Sequence, residues 1–245
     1  MITAGFIAPI PSLLLPGISD SEIRKNLLDT YSSLEYFSNF INESKIDVLV
    51  CFCVSSVSKI TCNLNQEYYS TFEDFGEFQT KFSALSDVIL SEKIASEIDA
   101  DLVTDDFLNY KISIPLNFLS LKTKRFKIVP IYIPKTKKLK ELFILGKKIR
   151  NLLVSYDKNV GVCCFGDISF SSLKSEKKDK EIINLIENKS IYKIINFKKK
   201  DFKNSEFIAP FCIFSGVFDK INYKIDESSY ENYLGTSYFT CNYKI

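Results

Sequence analysis

The residue types that usually carry out acid–base and metal chemistry are sparse in this chain. None of its 245 residues is histidine, so the common proton carrier near neutral pH and the common neutral metal ligand are both missing. A serine or cysteine nucleophile would also lack its usual base. The clearest remaining acid is Asp167, which follows an apolar run. An aspartate in such a place commonly accepts backbone N–H bonds in a turn.

Four of the seven cysteines are predicted to be buried, free thiols. Cys51, Cys53, Cys163 and Cys164 lie within apolar runs, where a free thiol behaves as a small hydrophobe. The first two would share one face of a strand, whereas the adjacent last two would point to opposite faces and could not bind one metal together. The odd number and the absence of a Cys-x-x-Cys pair argue against a disulfide framework and indicate a reducing, cytoplasmic setting.

Charge and hydropathy argue against two classes of partner. The formal net charge is +2, and the lysines in 174–181 and 198–201 alternate with acidic residues, which is typical of solvated surfaces. No apolar stretch reaches the roughly 18 residues that a membrane-spanning helix needs. We therefore expect neither a nucleic-acid partner nor membrane insertion.

The hydrophobic pattern predicts strands that alternate with helices. Residues 46–54, 127–133 and 160–165 are continuous apolar runs, as expected for strands covered on both faces. Residues 1–8 are predicted to form a further strand. Helical spacing of apolar residues predicts helices at about 20–40, 86–98, 137–154 and 181–187, the first with a capping box of Ser19 and Glu22. The sequence therefore predicts a single-domain layered α/β fold over 1–245, with a central mixed, largely parallel sheet flanked by helices.

The last quarter of the chain has a less regular pattern. Segment 207–218 is apolar enough for a strand or a helix. Pro210 favours a helix, since proline suits a first turn. Segments 221–225 and 237–243 are predicted to be closing strands at antiparallel edges.

Two early segments resemble motifs that contain metal-binding histidines. Residues 5–16 read Gly-Phe-Ile-Ala-Pro-Ile-Pro-Ser-Leu-Leu-Leu-Pro and are similar to an opening Gly-Phe-Ile-Ser-Pro-His-Pro-Pro followed by an apolar run. Residues 46–56 are similar to a strand that ends in Ser-Pro-His-Gly. Ile10 and Ser55 stand where these motifs place a histidine.

Three later segments continue the pattern in the same order. Residues 108–119 resemble Leu-Asp-His-Gly followed by an apolar stretch, with Tyr110 in place of histidine. Residues 166–170 resemble Gly-Asp-Leu-Ser-His, with Phe170 in place of histidine, and 230–235 resemble a closing Tyr-Glu-Gly-Pro-Phe-Gly. Together the segments resemble the LigB-type family, which comprises the catalytic subunits of class III extradiol ring-cleavage dioxygenases and the related Memo-like proteins.

The resemblance implies a LigB-like fold and, in the family, a site in which two histidines and one glutamate hold Fe(II) with open positions for catecholate and dioxygen. The family-equivalent metal positions are Ile10, Ser55 and Glu206, although Ser205 aligns with the glutamate equally well. Isoleucine has no donor atom, and a neutral serine hydroxyl is a poor ligand. We therefore expect no metal and no other cofactor.

The resemblance also implies where catalytic and pocket residues would lie. Tyr110 and Phe170 take the catalytic positions, and Phe170 stands where the family has its acid/base histidine. Asp167 and Ser169 are candidate pocket residues.

Two hypotheses of function follow. In the first, the chain is a non-catalytic LigB-fold protein that acts as a binding or complex subunit, with a protein partner or a second copy. In the alternative, it is an enzyme of the ring-cleavage dioxygenase family with a rebuilt, non-histidine site. There Asp167 and Glu206 could hold a hard cation such as Mg²⁺ together with waters.

Overall fold

The fold is built on one ten-stranded sheet. The computed structural model describes residues 1–120, 126–135, 138–168, 176–198 and 205–245. The strands in chain order are β1 (Ile2–Ala8), β2 (Val48–Ser55), β3 (Thr61–Asn63), β4 (Glu67–Phe72), β5 (Glu77–Ser86), β6 (Asp101–Val103), β7 (Lys127–Pro134), β8 (Val160–Phe165), β9 (Lys224–Tyr233) and β10 (Thr236–Lys244). Their order across the sheet is β4-β5-β7-β2-β8-β1-β10-β9, and β3 pairs with β6 and β7.

The four central strands β7, β2, β8 and β1 are parallel, which confirms the predicted largely parallel centre. Their apolar runs are buried because helices cover both faces of the sheet and form two separate hydrophobic cores. Cys51, Cys53 and Cys163 face one core. Cys164 faces the other core, so the predicted orientations of the cysteines are confirmed.

Antiparallel strands close both margins of the sheet. β10 pairs with β1 and with β9, and β4 pairs with β5. The prediction of antiparallel closing strands is confirmed. The position of one was wrong, because β9 begins at Lys224 and extends to Tyr233, where its register with β10 pairs Tyr230 with Phe239.

Helices form the two outer layers. They are α1 (Ser21–Asn26), α2 (Leu28–Glu43), α3 (Val88–Ile98), α4 (Tyr110–Ser120), α5 (Leu139–Val154), α6 (Glu176–Glu187), α7 (Ile191–Ile194) and α8 (Ile208–Val217). Helices α2 and α4 cover one face, and α3, α5, α6, α7 and α8 cover the other. Within the described ranges, no helix has both the length and the apolar character needed to cross a membrane.

Helix α8 is buried along its whole length, as expected for a helix that is apolar on all sides. Pro210 lies in its first turn, which confirms the helical prediction for this segment. Helix α5 crosses α8 at two glycines: a Cβ on Gly146 would lie 2.0 Å from the carbonyl oxygen of Ile213 and 2.8 Å from the Cα of Gly216. The crossing therefore has no room for a side chain at that point.

The single helix predicted for 20–40 is interrupted. Leu27 has φ −122° and separates α1 from α2. The predicted capping box is also wrong, because Asp20 caps α1 by accepting hydrogen bonds from the backbone N–H groups of Glu22 and Ile23. The Ser19 hydroxyl instead lies 2.6 Å from the Tyr31 hydroxyl.

Candidate functional site

The loops that follow β1 and β8 meet at the carboxyl edge of the parallel strands, where α/β sheets usually bind ligands. Ala8 pairs with Phe165 in the sheet, and the Gly166 N–H donates to the Ala8 carbonyl at 3.2 Å. Beyond this pair, the Ile10 N–H donates to Asp167 Oδ1 at 3.1 Å. Asp167 accepts a backbone N–H, as predicted, but the donor belongs to a different loop. Ile10 therefore contributes its backbone to the site.

The start of α8 contacts the same turn. The Glu206 N–H donates to the Asp167 carbonyl at 3.2 Å, and the Ser205 hydroxyl accepts from the Phe207 N–H, also at 3.2 Å. A Cβ on Gly166 would lie 2.7 Å from the Glu206 carbonyl oxygen. The bare backbone at this glycine allows α8 to approach β8 and brings Glu206 close to Asp167.

A lysine–glutamate ion pair connects α4 to the segment that precedes α8. Lys111 Nζ lies 2.8 Å from Glu206 Oε2, with the two side chains 12% and 28% exposed. A second lysine, Lys135, follows β7 and lies 3.9 Å from Glu206 Oε1. Asn109 fixes the start of α4 by accepting the Lys111 backbone N–H at 3.0 Å. The carboxylate of Glu206 is therefore neutralised by ammonium groups of the protein.

Burial governs the charge state of Asp167. Its side chain is buried, and burial raises the pKa of the carboxyl from 3.8 to about 7. The hydrogen bond from the Ile10 N–H lowers the pKa of Asp167. Nearby Glu206 raises this pKa and Lys111 lowers it. Asp167 is thus a carboxyl that can hold a proton near neutral pH.

Tyrosines complete the surroundings. Tyr110 begins α4 and is 39% exposed, and its ring packs edge-on against Phe75 with centroids 5.1 Å apart. Burial raises the pKa of Tyr110, and the cation of Lys111 partly opposes the rise. Tyr238 on β10 is fully buried, and its hydroxyl has no hydrogen-bond partner among the described residues. Burial is the main cause that raises the pKa of Tyr238, and the charge of Asp167 raises it further. The phenols of Tyr110 and Tyr238 are therefore protonated near neutral pH.

The structure brings together part of the predicted site. Asp167, Glu206 and the Ile10 backbone converge directly, and electrostatic interactions link Tyr110 to both acids. Ser55 ends β2 at the same edge of the sheet and is half-buried. Ser169 and Phe170 lie outside the described residues.

Sequence reasoning missed Lys111. One signal could have revealed it: in the segment that resembles Leu-Asp-His-Gly, Lys111 stands at the position of the glycine. Lysine has a long cationic side chain where glycine has none, and this lysine is adjacent to Tyr110, which takes the position of a family histidine.

Comparison with known proteins agrees with this fold. The family model for the catalytic LigB subunit of aromatic ring-opening dioxygenase matches residues 6–241. The chain belongs to the LigB family. Among solved structures, it is similar to an uncharacterized protein, JW3007, from Escherichia coli K12, with a TM-score of 0.66 and 10% identity over 98% of this chain and 99% of that chain. At 10% identity, this similarity shows only that the two proteins share a fold. No curated protein matches the chain by sequence.

The donor atoms present do not fit the two-histidine, one-carboxylate Fe(II) site that the LigB resemblance implies. Ile10 offers an alkyl side chain, Ser55 a neutral hydroxyl, and Glu206 a carboxylate already paired with Lys111. Across the described part of the chain, no group of three or more His, Cys, Asp or Glu side chains is arranged to hold a metal ion. No step of a reaction can therefore be assigned to iron at this site.

Proposed function

We propose that this chain is a LigB-family protein that does not catalyse metal-dependent ring cleavage and that acts as a binding or complex subunit. The observation that carries the proposal is the ion pair between Lys111 and Glu206. A metal that used Glu206 would have to displace an ammonium held at 2.8 Å and accept a second positive charge nearby. Coulomb repulsion between cations at this partly buried position disfavours that exchange.

The loss of histidines removes the proton chemistry as well. Ring cleavage in the family, as the resemblance implies, uses a histidine to move protons near neutral pH. Asp167 can exchange a proton in that range, but it is buried and bonded to the Ile10 N–H. It is therefore poorly placed to reach a substrate.

Metal analysis tests the proposal directly. Protein purified without air and without added chelators should contain no stoichiometric iron. It should also consume oxygen no faster than a protein-free control when catechols are supplied with Fe(II). One iron per chain together with a ring-cleavage product would refute the proposal and favour an enzyme with a rebuilt site.

The binding role draws support from exposed apolar side chains at one margin of the sheet. Tyr69 on β4 and Phe107 are 47% and 43% exposed, and their ring centroids lie 5.9 Å apart. Leu102 and Val103 of the neighbouring edge strand β6 are 51% and 39% exposed. Exposed apolar clusters are frequent at protein contacts. A second copy of the chain is the partner we propose for this margin.

Sedimentation velocity tests self-association. The native chain should sediment as more than a monomer, and the double variant Tyr69→Ser/Phe107→Ser should sediment as a monomer. Leu234→Ser, at a side chain that is 74% exposed between β9 and β10 at the opposite margin, serves as the control and should behave as the native chain. A monomeric native chain would contradict self-association and leave a different protein as the partner.

A further inference from the structure

The placement of Lys111 is unusual for a lysine. It is the second residue of α4, at the helix end whose backbone dipole repels cations. Its side chain is only 12% exposed, although an ammonium is strongly hydrated and costly to bury. Both features are unfavourable, so a compensating interaction must hold the side chain there.

The compensation comes from acids outside α4. Glu206 Oε2 lies 2.8 Å from Lys111 Nζ. Buried Asp167 is close enough for Glu206 and Lys111 to affect its pKa in opposite directions. The pair Lys180–Glu176, in contrast, lies on the surface of α6 with its side chains 63% and 49% exposed, where an ion pair contributes little.

We propose that Lys111 is a built-in cation beside Glu206 and Asp167: its ammonium supplies positive charge to these two acids, as a bound metal ion would, and it keeps divalent cations out. The inference rests on the proposed function. It identifies Lys111 as the residue that excludes metal. It also predicts that Glu206 and Asp167 bind a hard cation when the ammonium is removed.

Mn²⁺ is the probe, because its free ion is counted by electron paramagnetic resonance. Lys111→Ala should bind Mn²⁺, and Mn²⁺ should raise its thermal unfolding midpoint. The native chain and Lys111→Arg should do neither, because both keep the cation. The matched control Lys180→Ala should also show no response. The double variant Lys111→Ala/Glu206→Gln should lose the Mn²⁺ response of the single variant.

Without Mn²⁺, removal of Lys111 should lower the unfolding midpoint by about 4–8 °C, since a partly buried acid loses its partner. Lys111→Gln, which retains a hydrogen-bond donor of similar length, provides the same test if the alanine variant does not fold. Its midpoint should also rise with Mn²⁺.

A Lys111→Ala or Lys111→Gln variant that binds no more Mn²⁺ than the native chain would overturn the inference. The native chain remains the test of the proposed function. If the native chain lacks iron and the Lys111 variants bind no Mn²⁺, the proposed function stands and only the proposed role of Lys111 is wrong. If the native chain itself holds iron, the proposed function is wrong.

Discussion

Replacing Asp167 with asparagine should stabilise the protein in a pH-dependent manner. The folded state holds the Asp167 pKa near 7, against 3.8 for the ordinary carboxyl, chiefly because the side chain is buried. Between those pH values the folded chain binds more protons than the unfolded chain, so stability falls as pH rises and levels off above about pH 7. The shift corresponds to about 4 kcal/mol of stability lost across this range.

The asparagine side chain has nearly the same shape as that of Asp167 but does not titrate. Its side-chain oxygen can still accept the Ile10 N–H that donates to Asp167 at 3.1 Å. The charged groups that face the site, Lys111 and Glu206, remain in both proteins. The advantage of Asp167→Asn over the native chain should therefore be small at about pH 4 and should approach 4 kcal/mol at about pH 8.

Thermal unfolding followed by circular dichroism, in the presence of a reductant, measures this difference. For a chain of this length about 4 kcal/mol corresponds to a rise of roughly 8–16 °C in the midpoint at the higher pH. Asp74→Asn, at an exposed side chain, is the control and should follow the native pH dependence. An Asp167→Asn advantage that is equal at both pH values would refute the reasoning, because burial of a titrating carboxyl would then not be its cause.

Three further outcomes are expected. Gly146→Ala should cost about 3 kcal/mol or more in chemical denaturation, since its Cβ would lie 2.0 Å from the Ile213 carbonyl oxygen. Ile144→Ala on the exposed side of α5 should cost little, and equal losses would contradict the close crossing. All seven cysteines are buried, so a thiol reagent should label them only after denaturation, and rapid labelling of the native chain would contradict that burial. Lys158→Met should lower the unfolding midpoint near pH 7, because it removes the 2.6 Å bond to buried Asp87. Burial raises the pKa of Asp87, but Lys158 and the other hydrogen-bond donors outweigh burial and lower the pKa overall. The effect should therefore fade as pH falls through the native pKa of Asp87, and a constant difference at all pH values would contradict this.

The central layer of the fold was predictable because its signals are local. Strands such as β2 and β8 are continuous apolar runs bounded by polar residues, and a fully covered strand needs little else. The faces of Cys163 and Cys164 follow from the two-residue period of a strand alone. The hairpin of β4 and β5 was not predicted. Burial alternates along β4, but polar Ser70 is buried and aromatic Tyr69 is exposed, so the residue types do not show the alternation.

By itself, the sequence determined that no histidine chemistry is available, because composition does not depend on folding. It also determined the ordered motifs that lead to the LigB family. Only the tertiary structure decided what faces Glu206. Lys111 lies on α4, on one face of the sheet, and Glu206 lies in the segment that precedes α8, on the other face. The two side chains meet because the parallel strands end at one edge of the sheet. Pairing between residues so distant in the chain depends on that geometry, and no local pattern of residues encodes it.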